Sequence, residues 1–154
     1  MAALRTIQHS LPMQLLQARE GAMAHFRPML RSHDLTEQQW RVIRVLATES
    51  PMDASDLANR AMLLAPSLSR ILAYLENTGL VARKPDPCDQ RRSKLALTAM
   101  GVKKYRAVGP DSEALYGEIE RRFGRKKLAT LYSMLSDLND ALELTAEDDM
   151  NRVK

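Results

Sequence analysis

Cysteine, aromatic residues and long apolar runs are scarce in this chain of 154 residues. The one cysteine, Cys88, excludes an intrachain disulfide and favours a reducing compartment. No run of about 18 apolar residues is present, and residues 1–12 lack the continuous apolar stretch of a signal peptide. We therefore expect a cytoplasmic protein that has no membrane partner.

Motifs for catalysis and metal binding are also missing. The chain has no glycine-rich phosphate loop. It also has no sequence motif of a Ser/His/Asp triad or of paired catalytic carboxylates. Its three histidines are too far apart in sequence to indicate a metal site. Cys88 follows Asp86-Pro87 and precedes Asp89, which does not favour a reactive thiolate, so we interpret it as an incidental thiol and not a peroxide sensor. We expect no enzyme activity, no metal and no cofactor.

Positive charge is concentrated in one part of the chain. The whole chain has a net charge of +4, but from Arg83 to Arg106 eight cationic side chains oppose only Asp86 and Asp89, so this window carries +6. The rest of the chain is therefore slightly acidic. Such a cluster indicates a polyanionic partner at one place on the surface, although most charge clusters are merely solvated faces.

Apolar periodicity and capping residues predict that most of the chain is helical. The first helix is expected over residues 6–32, with Pro28 as a kink or end. The second begins at Thr36, which forms a capping box with Gln39, and ends near Glu49.

Two further helices and a hairpin follow. Asp53 is expected to cap a short helix that ends near Ala61, and Pro66 to occupy the first position of the next helix. Gly79 should stop that helix. Two short strands are then predicted over residues 80–84 and 93–97.

The last part of the chain is again predicted to be helical. Thr98 is expected to cap it, and Gly109-Pro110 to kink or break it. The C-terminal helix carries a heptad-like seam made of Leu128, Leu131, Leu135, Leu138 and Leu142.

This order of elements is that of a winged helix-turn-helix. We predict a mostly α fold with a small β-hairpin wing, flanked by N- and C-terminal dimerisation helices, because both apolar stripes exceed what one winged lobe needs for its core. The predicted regions are residues 1–34 (N-terminal dimerisation helix), 35–98 (winged helix-turn-helix, with recognition helix 66–78 and wing 80–97), 99–146 (C-terminal dimerisation helices) and 147–154 (frayed tail).

The helix over 66–78 is predicted to enter the major groove of double-stranded DNA. Its apolar stripe leaves small, hydrogen-bonding or cationic side chains on the opposite side, where they can meet base edges and phosphates. Arg91, at the end of a turn-prone loop, is expected to enter a minor groove while Asp89 holds its guanidinium by a salt bridge. The predicted DNA-contacting residues are Ser55, Pro66, Ser67, Ser69, Arg70, Tyr74, Asp89, Gln90, Arg91, Arg92 and Lys94.

Two other interpretations are kept open. The helix alone could be an ordinary surface helix. A winged helix could also serve only as a protein-interaction module without sequence-specific DNA binding, and such a module would tolerate the loss of Arg91.

The layout resembles the MarR family of transcriptional regulators over about residues 10 to 145. The stretch DPCDQRRSKLALT at 86–98 is similar to the family's wing motif, D-P-x-D-R-R-x-x-x-x-x-L-T, although Gln90 stands where the motif has its first arginine. The chain also resembles one branch, the homoprotocatechuate-catabolism repressors (HpaR), in LLQARE at 15–20, FRP at 26–28, LTEQQWRVIR at 35–44 and PSLSR at 66–70.

The resemblance implies a homodimeric repressor of an aromatic-acid catabolic operon on a palindromic operator, released by a small phenolic or aromatic carboxylate. Trp40 and Arg44 are four residues apart on one predicted helix and could hold an aryl ring and its carboxylate, with Arg19 as a second cation. The alternatives are that Trp40 packs in the core beside Leu35 and that Arg44 pairs with an acid.

Overall fold

The computed structural model describes residues 6–89 and 92–152, with side chains described as far as Glu143. In chain order its elements are a short 3-10 turn at Ile7–His9, α1 (Leu11–Ser32), α2 (Glu37–Thr48), α3 (Ala54–Arg60), α4 (Ala65–Asn77), β1 (Val81–Pro85), β2 (Ser93–Leu97), α5 (Ala99–Phe123) and α6 (Arg125–Arg152). The predicted fold class, mostly helical with a two-stranded hairpin, is confirmed.

The chain forms two compact units, Met1–Ser112 and Glu113–Lys154. The predicted regions 1–34, 35–98 and 99–146 describe expected roles, and they stay predictions. In the described part of the chain, no helix combines the length and the apolar character needed to cross a membrane.

Helix α1 differs from the prediction at its start and at Pro28. It begins at Leu11, because Pro12 is tolerated in the first turn of a helix but not in its interior. It then continues through Pro28 to Ser32. The flanking Phe26 and Leu30 are buried, and burying an apolar side chain stabilises by about 1.5–3 kcal/mol, so packing offsets the roughly 3 kcal/mol cost of an interior proline.

Helix α2 begins as predicted. The N–H of Gln39 donates to Thr36 Oγ1 at 3.2 Å, and the N–H of Thr36 donates to Gln39 Oε1 at 2.9 Å, which completes the capping box. Leu35 and Trp40 lie on either side of this cap and are both buried in the core. The helix ends at Thr48.

Helix α3 begins at the predicted position but without the predicted capping bond. Asp53 is the N-cap residue, yet its side chain makes no capping hydrogen bond. Its Oδ1 instead forms an ion pair with Lys94 Nζ at 3.1 Å. A charged partner from the hairpin therefore replaces the local backbone N–H as the ligand of this carboxylate. The prediction that Asp53 caps α3 through its side chain is wrong for this reason.

Helix α4 packs on the core through one apolar stripe. Leu68, Leu72 and Leu75 are buried, as their spacing predicts. The helix starts at Ala65, one residue earlier than predicted, so Pro66 lies in its first turn but not at its first position. Gly79 follows its end with φ of +72°, a left-handed conformation that glycine adopts without steric cost.

The hairpin is joined to the helical core near its base. Strands β1 and β2 are antiparallel with Val81 opposite Leu97 and Pro85 opposite Ser93. Leu95 is fully buried, and its backbone exchanges two hydrogen bonds with Met52, at 3.1 and 2.8 Å, just before α3. The wing is therefore fixed to the start of the helix-turn-helix.

Helix α5 starts at a tight junction with the hairpin. Thr98 Oγ1 accepts from the N–H of Gly101 at 3.0 Å, as a capping residue should, and donates to the carbonyl of Gly79 at 2.6 Å. A Cβ atom at Gly101 would lie 2.1 Å from the carbonyl oxygen of Leu80, so only glycine fits at this crossing.

The break predicted at Gly109-Pro110 does not occur, since α5 continues through Pro110 to Phe123. Val108 and Ser112 are buried on either side of the proline, and this packing keeps the helix continuous. The helix stops at Gly124, whose φ is +102°.

Helix α6 lies wholly in the second unit. Leu128 is buried, whereas Leu131 and Leu142 of the same predicted seam are exposed. The backbone is helical as far as Arg152, so it differs from the frayed tail predicted over 147–154, of which the last two residues lie outside the described part.

Candidate nucleic-acid interface

The N-terminal half of α4 presents a polar and cationic surface above its buried leucines. Pro66, Ser69 and Arg70 are exposed, and Ser67 is half-buried. In the described part of the chain, Arg70 has no acidic partner. Ser55 is likewise exposed, in the first turn of α3. Small hydroxyls and one arginine without a carboxylate are the groups that a helix needs to approach phosphates and base edges.

Tyr74 lies further along the same helix and lines a cavity. It shares this cavity, of about 390 Å³, with Thr78 and Leu80 and with Met100 and Lys103 from α5. The side chain is exposed, so it is accessible, but it is directed to the α4–α5 side. Its predicted role in DNA contact stays a prediction.

The tip of the hairpin is organised by backbone hydrogen bonds around Asp86. Its carboxylate accepts from the N–H of Cys88 at 2.8 Å, and its own N–H donates to the carbonyl of Arg92 at 2.9 Å. The N–H of Arg92 donates in turn to the carbonyl of Asp89 at 2.9 Å. The hydrogen bond from the N–H of Cys88, followed by the positive charge of Lys94, holds the pKa of Asp86 below its ordinary value.

Part of the predicted wing site lies outside the described residues. Gln90 and Arg91 belong to this part, so the predicted salt bridge between Asp89 and Arg91 does too. Arg92 is described and exposed.

Two of the basic residues near the hairpin are already bound by carboxylates. Lys94 forms ion pairs with Asp53 at 3.1 Å and with Asp86 at 3.7 Å, and the hydrogen bond to Asp53 is the main reason why its pKa is raised. Arg83 donates to Glu76 at 3.0 Å and to the hydroxyl of Ser93 at 3.1 Å. Lys94 therefore links the hairpin to the residue before α3, and its predicted DNA contact stays a prediction.

The predicted effector residue Arg19 belongs to an ion-pair network between α1 and α2. Its guanidinium donates to Glu20 at 2.7 Å and also to Glu37. Arg27 donates to Glu20 at 2.7 and 2.9 Å and to Glu37 at 3.2 Å. This pairing, above all the hydrogen bond from Arg27, lowers the pKa of Glu20. Arg41 lies 3.8 Å from Glu37, and burial lowers the pKa of its guanidinium.

Trp40 and Arg44 lie four residues apart on α2 but occupy different environments. Trp40 is 6% exposed, and its ring stacks on Tyr105 of α5 with centroids 5.6 Å apart at 24°. Arg44 is exposed and lines a cavity of about 270 Å³ together with Arg41 and Arg60. The structure thus places Trp40 in the core, the alternative considered above, and does not bring its ring and the Arg44 guanidinium into one open site.

Sequence reasoning missed several residues that the structure makes conspicuous. The stacking of Tyr105 on Trp40 could not be predicted, because the two residues are far apart in the sequence. Glu37, with its side chain 15% exposed, is the carboxylate at the centre of the α1–α2 network. Met62 and Leu64 are strongly exposed just before α4 although both are apolar.

The polar helix α4, held on a leucine stripe and followed by a two-stranded hairpin, gives the layout of a winged helix-turn-helix. A family model described as MarR family matches residues 33–92. The chain is 45% identical over 129 residues to the HTH-type transcriptional regulator FarR of Neisseria gonorrhoeae, over 84% of this chain and 88% of the relative.

Two further relatives have nearly the same sequence identity to this chain. The homoprotocatechuate degradative operon repressor of Escherichia coli is 44% identical over 128 residues, covering 83% of this chain and 86% of the relative. The crystal structure of NadR in complex with 4-hydroxyphenylacetate is similar with a TM-score of 0.77 and 43% identity, covering 88% of this chain and 96% of that chain. The chain belongs to the MarR family of transcriptional regulators, which are DNA-binding proteins and not enzymes.

Proposed function

We propose that this protein is a homodimeric repressor of an aromatic-acid catabolic operon, of the 4-hydroxyphenylacetate or homoprotocatechuate type, and that a small phenolic acid releases it from a palindromic operator in the cytoplasm. The observation that carries the DNA-binding part is the exposed N-terminal face of α4, where Ser69 and Arg70 lie above buried leucines. The names of the relatives support the aromatic-acid part.

DNA recognition is divided between helix and wing. Arg70 has the planar fork that binds guanine O6 and N7 in the major groove, while Ser67 and Ser69 are suited to phosphates or base edges. Arg91 and Arg92 precede β2 in the sequence, and we propose that they reach the neighbouring minor groove, whose negative potential attracts guanidinium groups.

Two apolar surfaces that the described residues leave uncovered support the proposed dimer. Leu11, Leu15 and Leu16 are exposed on α1 in the first unit. In the second unit Leu131, Tyr132 and Met134 are exposed on α6. Exposed large apolar side chains at helical spacing are typical of an interface between subunits. A twofold dimer presents two recognition helices to half-sites about 34 Å apart, one helical turn of DNA.

The effector carboxylate is proposed to bind between Arg41 and Arg44. Both line the same cavity, and among the described residues the Nε of Arg41 is a buried donor without a hydrogen-bond partner. A carboxylate there would accept charge-assisted hydrogen bonds from the two guanidinium groups. Val45 and Ala61 line the same cavity and form its apolar side. Arg19 contributes if it exchanges Glu37 for the ligand.

Release then follows from a population shift. The dimer is proposed to have one state whose recognition helices match the half-sites and another whose spacing does not. A ligand that prefers the second state weakens operator binding, at most by the ratio of its affinities for the two states.

DNA binding is tested by fluorescence anisotropy with a labelled duplex from the region upstream of the protein's own gene. We expect Arg91→Ala to weaken binding roughly 10-fold or more, since it removes a charged contact from each wing. Arg83→Ala is the matched control, because Arg83 is a hairpin arginine that is paired with Glu76. Equal affinity of the wild type and Arg91→Ala would favour the protein-interaction module instead.

Effector binding is tested by titrating 4-hydroxyphenylacetate into the protein–DNA complex. Trp40 is the only tryptophan, so its fluorescence reports on this region without interference. We expect Arg44→Ala to weaken the effector roughly 10- to 100-fold while DNA binding remains, because a charged hydrogen bond is lost. Arg31→Ala, an exposed arginine on α1, should respond like the wild type. No change in fluorescence and no release of DNA would contradict the proposal.

A further inference from the structure

Two apolar side chains are turned outward in the short connection between α3 and α4. Met62 is 80% exposed and Leu64 is 77% exposed, more than the other large apolar side chains found exposed in the described part of the chain. Leu63, between them, packs against the core. Apolar residues in a tight connection are normally buried or replaced by polar ones, so this pair needs an explanation.

The backbone of this connection is firmly held while its two side chains are not. The N–H of Met62 donates to Asn59 O at 3.2 Å, and the N–H of Leu63 donates to Ala58 O at 2.9 Å. Arg41 adds hydrogen bonds to the carbonyls of Ala61 and Met62, at 2.9 and 3.2 Å. The backbone therefore fixes where each side chain leaves the connection, which favours a specific contact over a mobile loop.

The local sequence is costly for stability at both positions. Met62 has φ of +53°, a left-handed conformation that residues other than glycine, asparagine and aspartate rarely adopt. Leu64 is the N-cap residue of α4 and forms no capping hydrogen bond, because its side chain has no polar atom. Positions that break local rules in this way are typical of functional contacts.

The size and place of the pair indicate its partner. Two side chains are far too small an area for a protein partner, which covers about 800 Å² on each side of a standard interface. Leu64 directly precedes the first turn of α4, and Ser67, Ser69 and Arg70 follow it on the proposed DNA surface. The apolar group that duplex DNA offers in its major groove is the 5-methyl group of thymine.

We propose that Leu64, with Met62 beside it, contacts thymine methyl groups at the edge of each half-site and so makes the protein selective for thymine there. This inference rests on the proposed function, since it requires that α4 enters the major groove. It adds a base preference that the polar residues of the helix do not provide.

The test compares two duplexes of the protein's own upstream region that differ only in the thymine methyl groups. One contains thymidine, and in the other every thymidine is replaced by deoxyuridine. Wild-type protein should bind the thymidine duplex more tightly, by about fourfold for each methyl group buried. Leu64→Ala should weaken binding to the thymidine duplex and reduce the difference between the two, and Met62→Ala should do so to a smaller extent.

Met100→Ala is the matched control, because Met100 is also an exposed methionine but belongs to the start of α5 and not to this connection. It should keep the full difference between the duplexes. Equal binding of both duplexes by the wild type, or an unchanged difference in Leu64→Ala, would overturn the inference while leaving the proposed function intact. Failure to bind either duplex would overturn the proposed function, and the inference with it.

Leu64→Ser provides a second readout, in which stability and binding change in opposite directions. A serine at the N-cap can accept from a backbone N–H of α4, so the Tm should rise. The affinity for the thymidine duplex should fall, as in Leu64→Ala. A fall in Tm together with a fall in affinity would indicate that Leu64 stabilises the fold, and this would overturn the inference.

Discussion

The arginines on α1 and α2 and those on α4 and the hairpin tip differ in their partners. Arg19 and Arg27 are bound by the carboxylates of Glu20 and Glu37. Arg70 and Arg92 are exposed, and neither forms an ion pair with a residue that the structure describes. Arginine therefore joins two helices in one region, whereas in the other region no described residue neutralises it.

This difference changes how the charge of the chain should be interpreted. The window from Arg83 to Arg106 carries +6, but Arg83 and Lys94 in it are bound to Glu76 and to Asp53 and Asp86. Carboxylates outside the window therefore reduce the charge that DNA would meet. The accessible cations, and not the total, should set the salt dependence of DNA binding.

The largest expected effect is that of Arg70→Ala on DNA affinity. Loss of a bidentate contact to guanine costs about 1–3 kcal/mol per half-site, so the dissociation constant should rise at least roughly 10-fold in an anisotropy titration. Arg27→Ala is the control from the other region and should leave the affinity nearly unchanged, since Arg27 is bound to Glu20 and Glu37. Similar losses of DNA affinity in Arg70→Ala and Arg27→Ala would contradict the difference between the arginines of the two regions.

A smaller effect is expected at the hairpin. Arg92→Ala should lower the affinity several-fold and should reduce the slope of log K against log salt by about 1 per protomer, because one cationic contact with the DNA is lost from each wing. Arg83→Ala should leave the slope unchanged. If Arg83→Ala reduced the slope as much as Arg92→Ala, the pairing with Glu76 would not matter for DNA binding.

Lys94→Met should affect the fold more than DNA binding. The variant loses the ion pairs to Asp53 and Asp86, which are partly exposed, so we expect a slight fall in Tm. The pKa of Asp86, followed by carboxyl ¹³C chemical shifts, should rise but stay below its ordinary value, because the hydrogen bond from Cys88 remains. A marked loss of DNA affinity without a change in Tm would show that Lys94 contacts DNA after all.

The smallest effect concerns the titration of Glu20. Its pKa is lowered from the ordinary 4.5, mainly by the hydrogen bond from Arg27, so the folded protein binds this proton less tightly than the unfolded chain. The contribution to stability is therefore present above pH 4.5 and is lost as the pH falls through the lowered value. Arg27→Ala should raise the pKa of Glu20 in a ¹³C titration, and an unchanged value would exclude Arg27 as the cause.

Features set by neighbouring residues could be predicted from the sequence. The Thr36–Gln39 capping box and the stripe of Leu68, Leu72 and Leu75 depend on spacings of three and four residues, and both are confirmed. The hairpin was predicted within one residue of its observed bounds, since it needs only short strands around a turn.

Features set by distant residues could not be predicted in this way. Local propensity predicts that Pro28 and Pro110 disturb their helices, but burial of neighbouring side chains keeps both helices continuous. Asp53 was expected to cap α3, and a lysine from the hairpin binds it instead. The stacking of Trp40 on Tyr105 likewise depends on how α2 and α5 pack.

The most direct test of the account is the salt dependence of binding to the protein's own upstream duplex. We predict that one dimer binds one duplex and that affinity falls by roughly 1,000-fold or more between about 50 and about 200 mM salt, as expected for several phosphate contacts. Absence of binding at about 50 mM salt, or an affinity independent of salt, would contradict the central claim that α4 and the wing form a DNA-binding surface.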